Sequence, residues 1–336
     1  MSTKKTSIED VAARAGVSIT TVSRVINNIS TVSKKNRIKV EEAVAHLNFK
    51  PNVSAQRLAR GLNNSVGLVM PGYPGIFHSF YAIEIIRGVG HACETLHLDL
   101  IFHITSGYNP LNINNVGGII FADIIENKKQ IEETLEAGVP CMVINNIVDD
   151  LKVNFIAVDN IRGAEMVVEY LMSLGHSKIA TVTGSLQTQS GLHRFEGYKN
   201  SLKKNNLVFN EKYVYEGDYS RRSARTGLEK FLSLGKDRPT AVFAASDDMA
   251  LEVVNFAVEK GFKVPQDLSV VGFDDNPIGL YSSVSLTTIR QPLFRMAEEA
   301  VRQLNAIVAG RRHSSVQQVL LPELIVRESC ASPSFP

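Results

Sequence analysis

Near the start of this chain, apolar residues repeat at a spacing that places them on one face of a helix. Residues typical of turns separate these short runs. The first run places four side chains on one face: Ile8, Val11, Ala12 and Ala15. Ser7 precedes this run and Asp10 follows Ser7 three residues later, a spacing typical of a capped helix start. Gly16 then permits a sharp turn that a residue with a Cβ atom would resist. The pattern predicts a short helix that ends at this glycine.

A second short helix is predicted after Ser18, which is suited to cap its first turn. Three of its residues face inward, namely Val22, Val25 and Ile26, and the opposite face carries Ile19, Thr20, Ser23 and Arg24. An arginine can pair with guanine, and isoleucine or threonine can contact a thymine methyl group. The pair of helices therefore predicts a helix-turn-helix that reads the major groove of DNA. A small helical bundle with a solvated polar face is the alternative.

A third helix is predicted after Ser33, with an apolar side made of Ile38, Val40, Val44 and Leu47. Four cations cluster near its start: Lys34, Lys35, Arg37 and Lys39. Residues 1–60 carry eleven Lys and Arg against four Asp and Glu, a net charge of +7. The whole chain carries +2, so residues 61–336 carry −5. A basic head on an acidic body is the charge distribution of a nucleic-acid binder.

From Ser65 onward, runs rich in β-branched residues alternate with helical patterns. The predicted strands are 66–70, 98–104, 116–121, 139–144, 178–183, 240–245 and 268–273. The predicted helices are 84–95, 128–137, 161–174, 194–205, 222–234, 247–260 and 293–309. This alternation predicts an α/β body with parallel sheets, and its length favours two similar lobes. Ligands of such sheets bind beyond the carboxyl ends of the strands, so we expect a site in the cleft between the lobes.

The first 52 residues carry a more specific pattern, made of Asp10-Val11-Ala12, Ala15-Gly16-Val17-Ser18, Thr21-Val22-Ser23-Arg24-Val25-Ile26-Asn27 and Leu47-Asn48-Phe49-Lys50-Pro51-Asn52. This pattern closely resembles the DNA-binding headpiece of the LacI family of bacterial transcription regulators. The resemblance implies an all-α helix-turn-helix headpiece at 1–50, a hinge helix and linker at 51–64, and a two-lobed, periplasmic-binding-protein-like effector and dimerisation domain at 65–336.

The resemblance implies that Ile19, Thr20 and Arg24 are the main base-reading residues. It extends DNA contact to a wider set: Ser18, Thr21, Ser23, Asn27, Lys34, Arg37, Asn52, Ala55 and Leu58. The segment around Leu58 is too short to persist as an isolated helix in water. In the resembling family it folds on DNA and its leucine wedges into the minor groove, and such wedges kink the duplex. The alternative is a flexible linker whose leucine packs on the next domain.

The body resembles the effector domain of the same family. The matching stretches are Val158-Asp159-Asn160, Leu174-Gly175-His176, Arg194-Phe195-Glu196-Gly197-Tyr198, Glu216-Gly217-Asp218-Tyr219, Ser246-Asp247-Asp248-Met249-Ala250, Val271-Gly272-Phe273-Asp274-Asp275 and Leu286-Thr287-Thr288-Ile289-Arg290-Gln291-Pro292. The resemblance implies that Arg194 and Asp247 hydrogen-bond the effector and that Tyr219 covers its apolar face. Asn145 would approach from the other lobe.

Two of these assignments have a simpler structural alternative. Arg194 could form a surface ion pair, and Asp247 could cap the helix predicted at 247–260.

Aromatic residues of the loop after the first strand commonly line the pocket in the family. Phe77, Phe80 and Tyr81 are the candidates, and we assign Phe77.

The segment 105–115 departs from the family. Residues 105–115 contain Gly107, Pro110 and four asparagines where the family has a helix between two parallel strands. A parallel crossover usually needs a dozen residues or more. Either this connection is a bare loop or the strand order changes locally, and the first lobe is expected to be thinner on one face.

Other patterns exclude several classes of protein. There is no run of 18 apolar residues and no signal-peptide core, so we expect a soluble, cytoplasmic chain. The three cysteines Cys93, Cys141 and Cys330 lack paired spacing, which argues against a disulfide framework or a zinc site. The eight histidines form no metal motif, and Gly88-Val89-Gly90 lacks the third glycine of a dinucleotide fingerprint. We expect that the protein binds no metal and no cofactor and that it is not an enzyme.

We therefore predict a ligand-responsive transcriptional repressor that binds double-stranded, palindromic operator DNA as a homodimer, with a tetramer as the alternative assembly. Its effector is predicted to be a carbohydrate or a related small polar metabolite. The competing hypothesis is an effector-independent DNA-binding regulator whose body only dimerises or docks a partner protein.

Overall fold

The computed structural model of the chain describes residues 7–26, 31–47, 49, 64–72, 76–124 and 127–333. The chain divides into two compact units, Met1–Asn64 and Ser65–Pro336. Among the helices of the described residues, none is long and apolar enough to cross a membrane.

The described residues of the first unit form the helices α1 (Ile8–Ala15), α2 (Ile19–Ile26) and α3 (Lys34–His46). The predicted capping pattern is present, because Ser7 and Asp10 exchange side-chain and backbone hydrogen bonds. Gly16 ends α1 in the left-handed region, with φ of 63°.

The small core of this unit is formed by Val11, Ala12, Ala15, Val22, Val25, Val40 and Ala43. The predicted apolar side of α3 is wrong at Ile38, which is 47% exposed. The reason is that the buried face of α3 runs through Val40 and Ala43, and Ile38 lies off that face.

The second unit is an α/β body with two parallel sheets. Its strands are β1 (Ser65–Pro71), β2 (Asp99–Thr105), β3 (Gly118–Phe121), β4 (Cys141–Ile144), β5 (Asn154–Val158), β6 (Ile179–Val182), β7 (Val214–Tyr215), β8 (Ala241–Ala244), β9 (Ser269–Val271), β10 (Thr288–Arg290), β11 (Gln317–Leu320) and β12 (Glu323–Ile325). Its helices are α4 (Phe80–Leu96), α5 (Lys128–Glu136), α6 (Asn160–Ser173), α7 (Gln189–Lys204), α8 (Arg221–Leu232), α9 (Asp247–Glu259) and α10 (Leu293–Val308).

The two sheets define two lobes. Lobe 1 has the strand order β11-β5-β4-β3-β1-β2, and every neighbouring pair is parallel. Lobe 2 has the parallel order β7-β6-β8-β9, and β10 pairs antiparallel with β12 beside it. The strands β3, β4, β6, β8 and β9 are buried along their whole length, as expected for parallel sheets covered on both faces.

Helices cover both faces of each sheet. In lobe 1, α4 and α10 pack on one face, and α5 packs on the other with loop residues. In lobe 2, α8 and α9 pack on one face and α6 and α7 on the other. Over the part of the body that the structure describes, the chain passes between the lobes three times, from β5 to α6, from β10 to α10 and from β11 to β12.

The short connection from β2 to β3 is a loop whose only regular element, within the described residues, is a single 3₁₀ turn, Ile113–Asn115. Of the two alternatives, the bare loop is therefore the one observed, and β1 lies between β2 and β3. Leu111 and Ile113 pack on the sheet where a helix would otherwise lie. The loop is tied to α5 because the Gln130 side chain donates to the Asn109 carbonyl at 2.8 Å.

Candidate DNA-reading face and effector cleft

The exposed face of α2 carries the predicted base-reading residues. Ile19 is 47% exposed, and Thr20 and Arg24 are also exposed. Ser18 accepts a hydrogen bond from the Thr21 backbone N–H at 3.2 Å, so its hydroxyl caps the helix. Exposed apolar and cationic side chains on a capped, rigid helix suit contact with base edges.

The remaining predicted DNA contacts divide into two groups. Lys34 is exposed at the start of α3, and Thr21, Ser23 and Arg37 are half-buried around the same helices. Asn27, Asn52, Ala55 and Leu58 lie outside the described residues, as does most of the predicted hinge. All of these contacts stay predictions.

In the body, several residues with unusual backbone geometry follow the carboxyl ends of strands. Asn145 follows β4 with φ of 64°, Tyr219 lies four residues beyond β7 with φ of 66°, and Asp274 lies three residues beyond β9 with φ of 123°. Residues with a side chain rarely adopt positive φ, and such strain persists where the surrounding structure holds it. These positions lie at the edges where parallel sheets bind ligands.

Arg194 on α7 is the centre of this arrangement and is 5% exposed. Its Nε donates to Asn160 Oδ1 at 2.8 Å, and its Nη1 donates to the Ala245 carbonyl at 2.5 Å. Nη2 lies 3.8 Å from Asp274 Oδ1. The surface ion pair considered above is therefore wrong, because this guanidinium is buried and anchored by three different segments.

Asp274 completes a buried polar array with Arg194. Gln291 Nε2 donates to Asp274 Oδ1 at 2.6 Å, while Gln291 Oε1 is buried without a partner in the described part of the chain. Burial raises the pKa of Asp274 to about 6, although the Arg194 charge opposes this rise. The array therefore offers a carboxyl group, an amide oxygen and a guanidinium within one small region.

Asp247 has internal partners for both of its carboxylate oxygens. Oδ1 accepts from Thr288 Oγ1 at 2.6 Å, and Oδ2 accepts from the Asn276 backbone N–H at 2.7 Å. The side chain is 1% exposed, and Ser246 is the residue that caps α9. The predicted effector contact of Asp247 is not supported by this geometry. The geometry favours Asp274, which follows the neighbouring strand.

Tyr219 packs against the backbone of Gly184, so closely that an added Cβ atom there would lie 2.1 Å from Tyr219 Cζ. Its hydroxyl lies 3.2 Å from Ser190 Oγ in the first turn of α7 and 3.4 Å from Oγ1 of Thr188, the residue that caps this helix. The same helix thus positions Tyr219 and Arg194.

The two lobe 1 assignments differ in their surroundings. Asn145 Oδ1 is buried and has no partner among the described residues, so it can accept a hydrogen bond from a ligand. Phe77 is 56% exposed and packs against Phe102 of the edge strand β2, with ring centroids 6.1 Å apart. Tyr81 instead donates to the carbonyl of Ala122, the residue after β3, at 2.5 Å. The geometry therefore favours Tyr81 over Phe77 as the aromatic residue near the strand ends.

Asp275 has a supporting role beside the array. It accepts hydrogen bonds from Arg290 at 2.7 Å and from Arg327 at 2.5 Å. These ion pairs connect the turn after β9 to β10 and to the segment after β12.

Within the described ranges, no three His, Cys, Asp or Glu side chains are grouped as a metal site requires.

Comparison with known proteins decides the class of this molecule. Residues 7–52 match the bacterial regulatory proteins of the lacI family, and residues 168–330 match a periplasmic-binding-protein-like domain. The HTH-type transcriptional regulator DegA of Bacillus subtilis (strain 168) is 33% identical over 337 residues, covering 97% of this chain and 98% of DegA. The chain belongs to the LacI family.

Solved structures agree with this assignment. The Lac repressor dimer bound to operator and the anti-inducer ONPF has a TM-score of 0.74 and 28% identity, covering 98% of this chain and 100% of that one. The complex of the transcriptional regulator CelR with cellobiose has a TM-score of 0.71 and 29% identity, covering 96% and 99%. This LacI-family chain is thus a DNA-binding transcriptional regulator of the repressor type, and its relatives are regulators rather than enzymes.

Proposed function

We propose that this LacI-family regulator is a repressor that binds a palindromic operator as a homodimer and responds to a carbohydrate in the cleft of its body. The observation that carries the effector proposal is the buried array of Arg194, Asp274 and Gln291, together with Tyr219, whose hydroxyl lies near Ser190 on the same helix as Arg194. Acceptors and a planar donor fix sugar hydroxyls, and an aromatic face covers the C–H side of a sugar ring.

Several buried oxygens support a neutral polyol as the effector. Asn145 Oδ1 and Gln291 Oε1 lack partners among the described residues, and Asp274 adds a carboxyl group. Buried acceptors without partners are costly, and hydroxyl donors from a ligand would satisfy them. Among the relatives, CelR has been solved with cellobiose. The carbohydrate class follows from this chemistry together with that similarity.

Exposed apolar side chains support self-association. Beyond β9, Ile278, Leu280 and Tyr281 are 44%, 52% and 86% exposed within a short segment. In lobe 1, Ile83 on α4 and Ile104 on β2 are 39% and 44% exposed. Clustered exposed apolar residues mark interaction surfaces, and a two-fold dimer matches a palindromic operator.

The test is operator binding by the full-length protein, measured with and without a panel of mono- and disaccharides whose binding is followed separately by calorimetry. We expect at least one sugar to bind and to change operator affinity. A sugar that binds and leaves operator affinity unchanged would contradict the coupling. Failure of every sugar to bind would instead favour a body that only dimerises or docks a partner.

A further inference from the structure

One side chain joins the two lobes through a pair of hydrogen bonds. The backbone N–H of Ile147, three residues beyond β4 in lobe 1, donates to Gln189 Oε1 at 2.7 Å. Gln189 is the first residue of α7 in lobe 2, and its Nε2 donates back to the Ile147 carbonyl at 2.9 Å. A single primary amide thus pairs with both backbone groups of one residue across the cleft.

This contact needs a side chain with a donor and an acceptor side by side. Glutamine has both, whereas glutamate at neutral pH has only acceptors and alanine has neither. Because the covalent connections between the lobes are the three chain crossings, a non-covalent contact at the strand ends can be made or broken as the lobes move.

The contact lies on the same helix as the effector array. Arg194 is five residues after Gln189 on α7, a separation of about 7.5 Å along a helix axis. Ser190, next to Gln189, lies 3.2 Å from the Tyr219 hydroxyl. On the lobe 1 side, Ile147 is two residues after Asn145. The contact therefore ties the segment that carries Asn145 to the helix that carries Arg194.

We propose that Gln189 is a cross-lobe positioning residue whose amide holds the cleft closed before any effector binds. The regulatory role of this contact rests on the proposed function. A cleft that is already closed loses less conformational freedom when a ligand binds. The contact joins two groups of the chain itself, so it is tested without a ligand.

The experiment measures amide hydrogen exchange at Ile147 in the full-length protein, with small-angle scattering as a second readout. In Gln189→Ala we expect exchange at Ile147 to accelerate roughly tenfold or more, and the radius of gyration to increase. Gln187→Ala is the matched control, because Gln187 is exposed two residues earlier in the same segment. Unchanged exchange at Ile147 and unchanged size in Gln189→Ala would overturn the proposal.

Gln189→Glu provides an isosteric second variant. Its carboxylate can accept from the Ile147 N–H but repels the Ile147 carbonyl, whereas the protonated acid can donate to it. We expect Ile147 in this variant to exchange faster than in the parent chain at pH 7, and to approach the parent rate near pH 4 after correction for intrinsic exchange. Parental protection at pH 7 would contradict the requirement for a donor. Neither variant is measured with an effector, so these results are independent of whether any sugar binds in the titration.

Discussion

The guanidinium of Arg194 lies over the ring of Phe273, with its central carbon 3.8 Å from the ring centroid. Phe273 directly precedes Asp274, so a single turn after β9 presents both an aromatic face and a carboxyl group to one arginine. Stacking and fork-shaped hydrogen bonding both require the planar guanidinium, and a lysine ammonium provides neither.

Arg194→Lys is therefore expected to destabilise the body by about 2–4 kcal/mol, because it leaves buried acceptors at Asn160 and Ala245 without donors. The measurement is chemical denaturation followed by circular dichroism. Arg222→Lys is a suitable control, since Arg222 is exposed on α8. Equal stabilities of the two variants would contradict the structural role assigned to Arg194.

Gly184→Ala is expected to displace the Tyr219 ring and to cost about 1–3 kcal/mol of unfolding free energy through overpacking. Gly90→Ala on α4 is the matched control, because an added Cβ atom there meets nothing within 4 Å. In a helix that substitution should stabilise by about 0.5–1 kcal/mol. Opposite signs in thermal unfolding are the expected result, and sugar binding should be lost only in Gly184→Ala.

His176 predicts a pH dependence of stability. Its Nδ1 lies 2.8 Å from Thr240 Oγ1 and its Nε2 lies 2.9 Å from the Ala331 carbonyl, an arrangement that suits a neutral ring. Burial lowers the pKa of His176 below its ordinary value of 6.5. The unfolded chain then takes up a proton below pH 6.5 while the folded chain does not, so stability falls as pH decreases from 6.5.

Denaturation midpoints between pH 8 and about pH 5 check this prediction. Gln in place of His176 should lower stability at pH 8, because the ring contacts are lost, and should make the dependence on pH shallower. His313→Gln, at an exposed position, should leave the parental slope intact. If His176→Gln keeps the parental dependence of stability on pH, groups other than His176 cause the loss of stability in acid.

Arg24→Ala should weaken operator binding by about 1–3 kcal/mol and relax preference at one base position, if Arg24 reads a guanine. Binding to a set of operators that differ by single base pairs is the measurement. Lys34→Ala serves as a comparison, since a lysine at a phosphate should weaken all sequences equally and reduce the salt slope by about 1. If Arg24→Ala instead loses the same affinity on all operators, Arg24 contacts a phosphate, as Lys34 is expected to do.

The sequence predicted the order of helices and most of the buried strands, because those segments have strong apolar patterns. The helix predicted at 128–137 is observed as Lys128–Glu136, and the strand predicted at 139–144 as Cys141–Ile144. The prediction missed β11, an edge strand whose first three residues are exposed. It also missed β5, β7, β10 and β12, which are two to five residues long and give a weak local signal.

The choice between Asp247 and Asp274 could not be made from local sequence. Both carboxyl groups follow strands of lobe 2, and each is a plausible ligand contact. What separates them is the pairing of Asp247 with Thr288, which is 41 residues away along the chain. The buried environment of Arg194 depends in the same way on Asn160 and Ala245, which the chain brings together only on folding.

The three crossings between the lobes have a consequence for synthesis of the protein. Lobe 2 is built largely from residues 160–290, whereas lobe 1 receives α10 and its edge strand β11 only at residues 293–320. Domains generally fold as units while the ribosome extends the chain. Lobe 1, which begins first, is therefore completed only after most of lobe 2 has been translated. Counted from the end of β5 at residue 158, α10 begins 135 residues later and β11 begins 159 residues later.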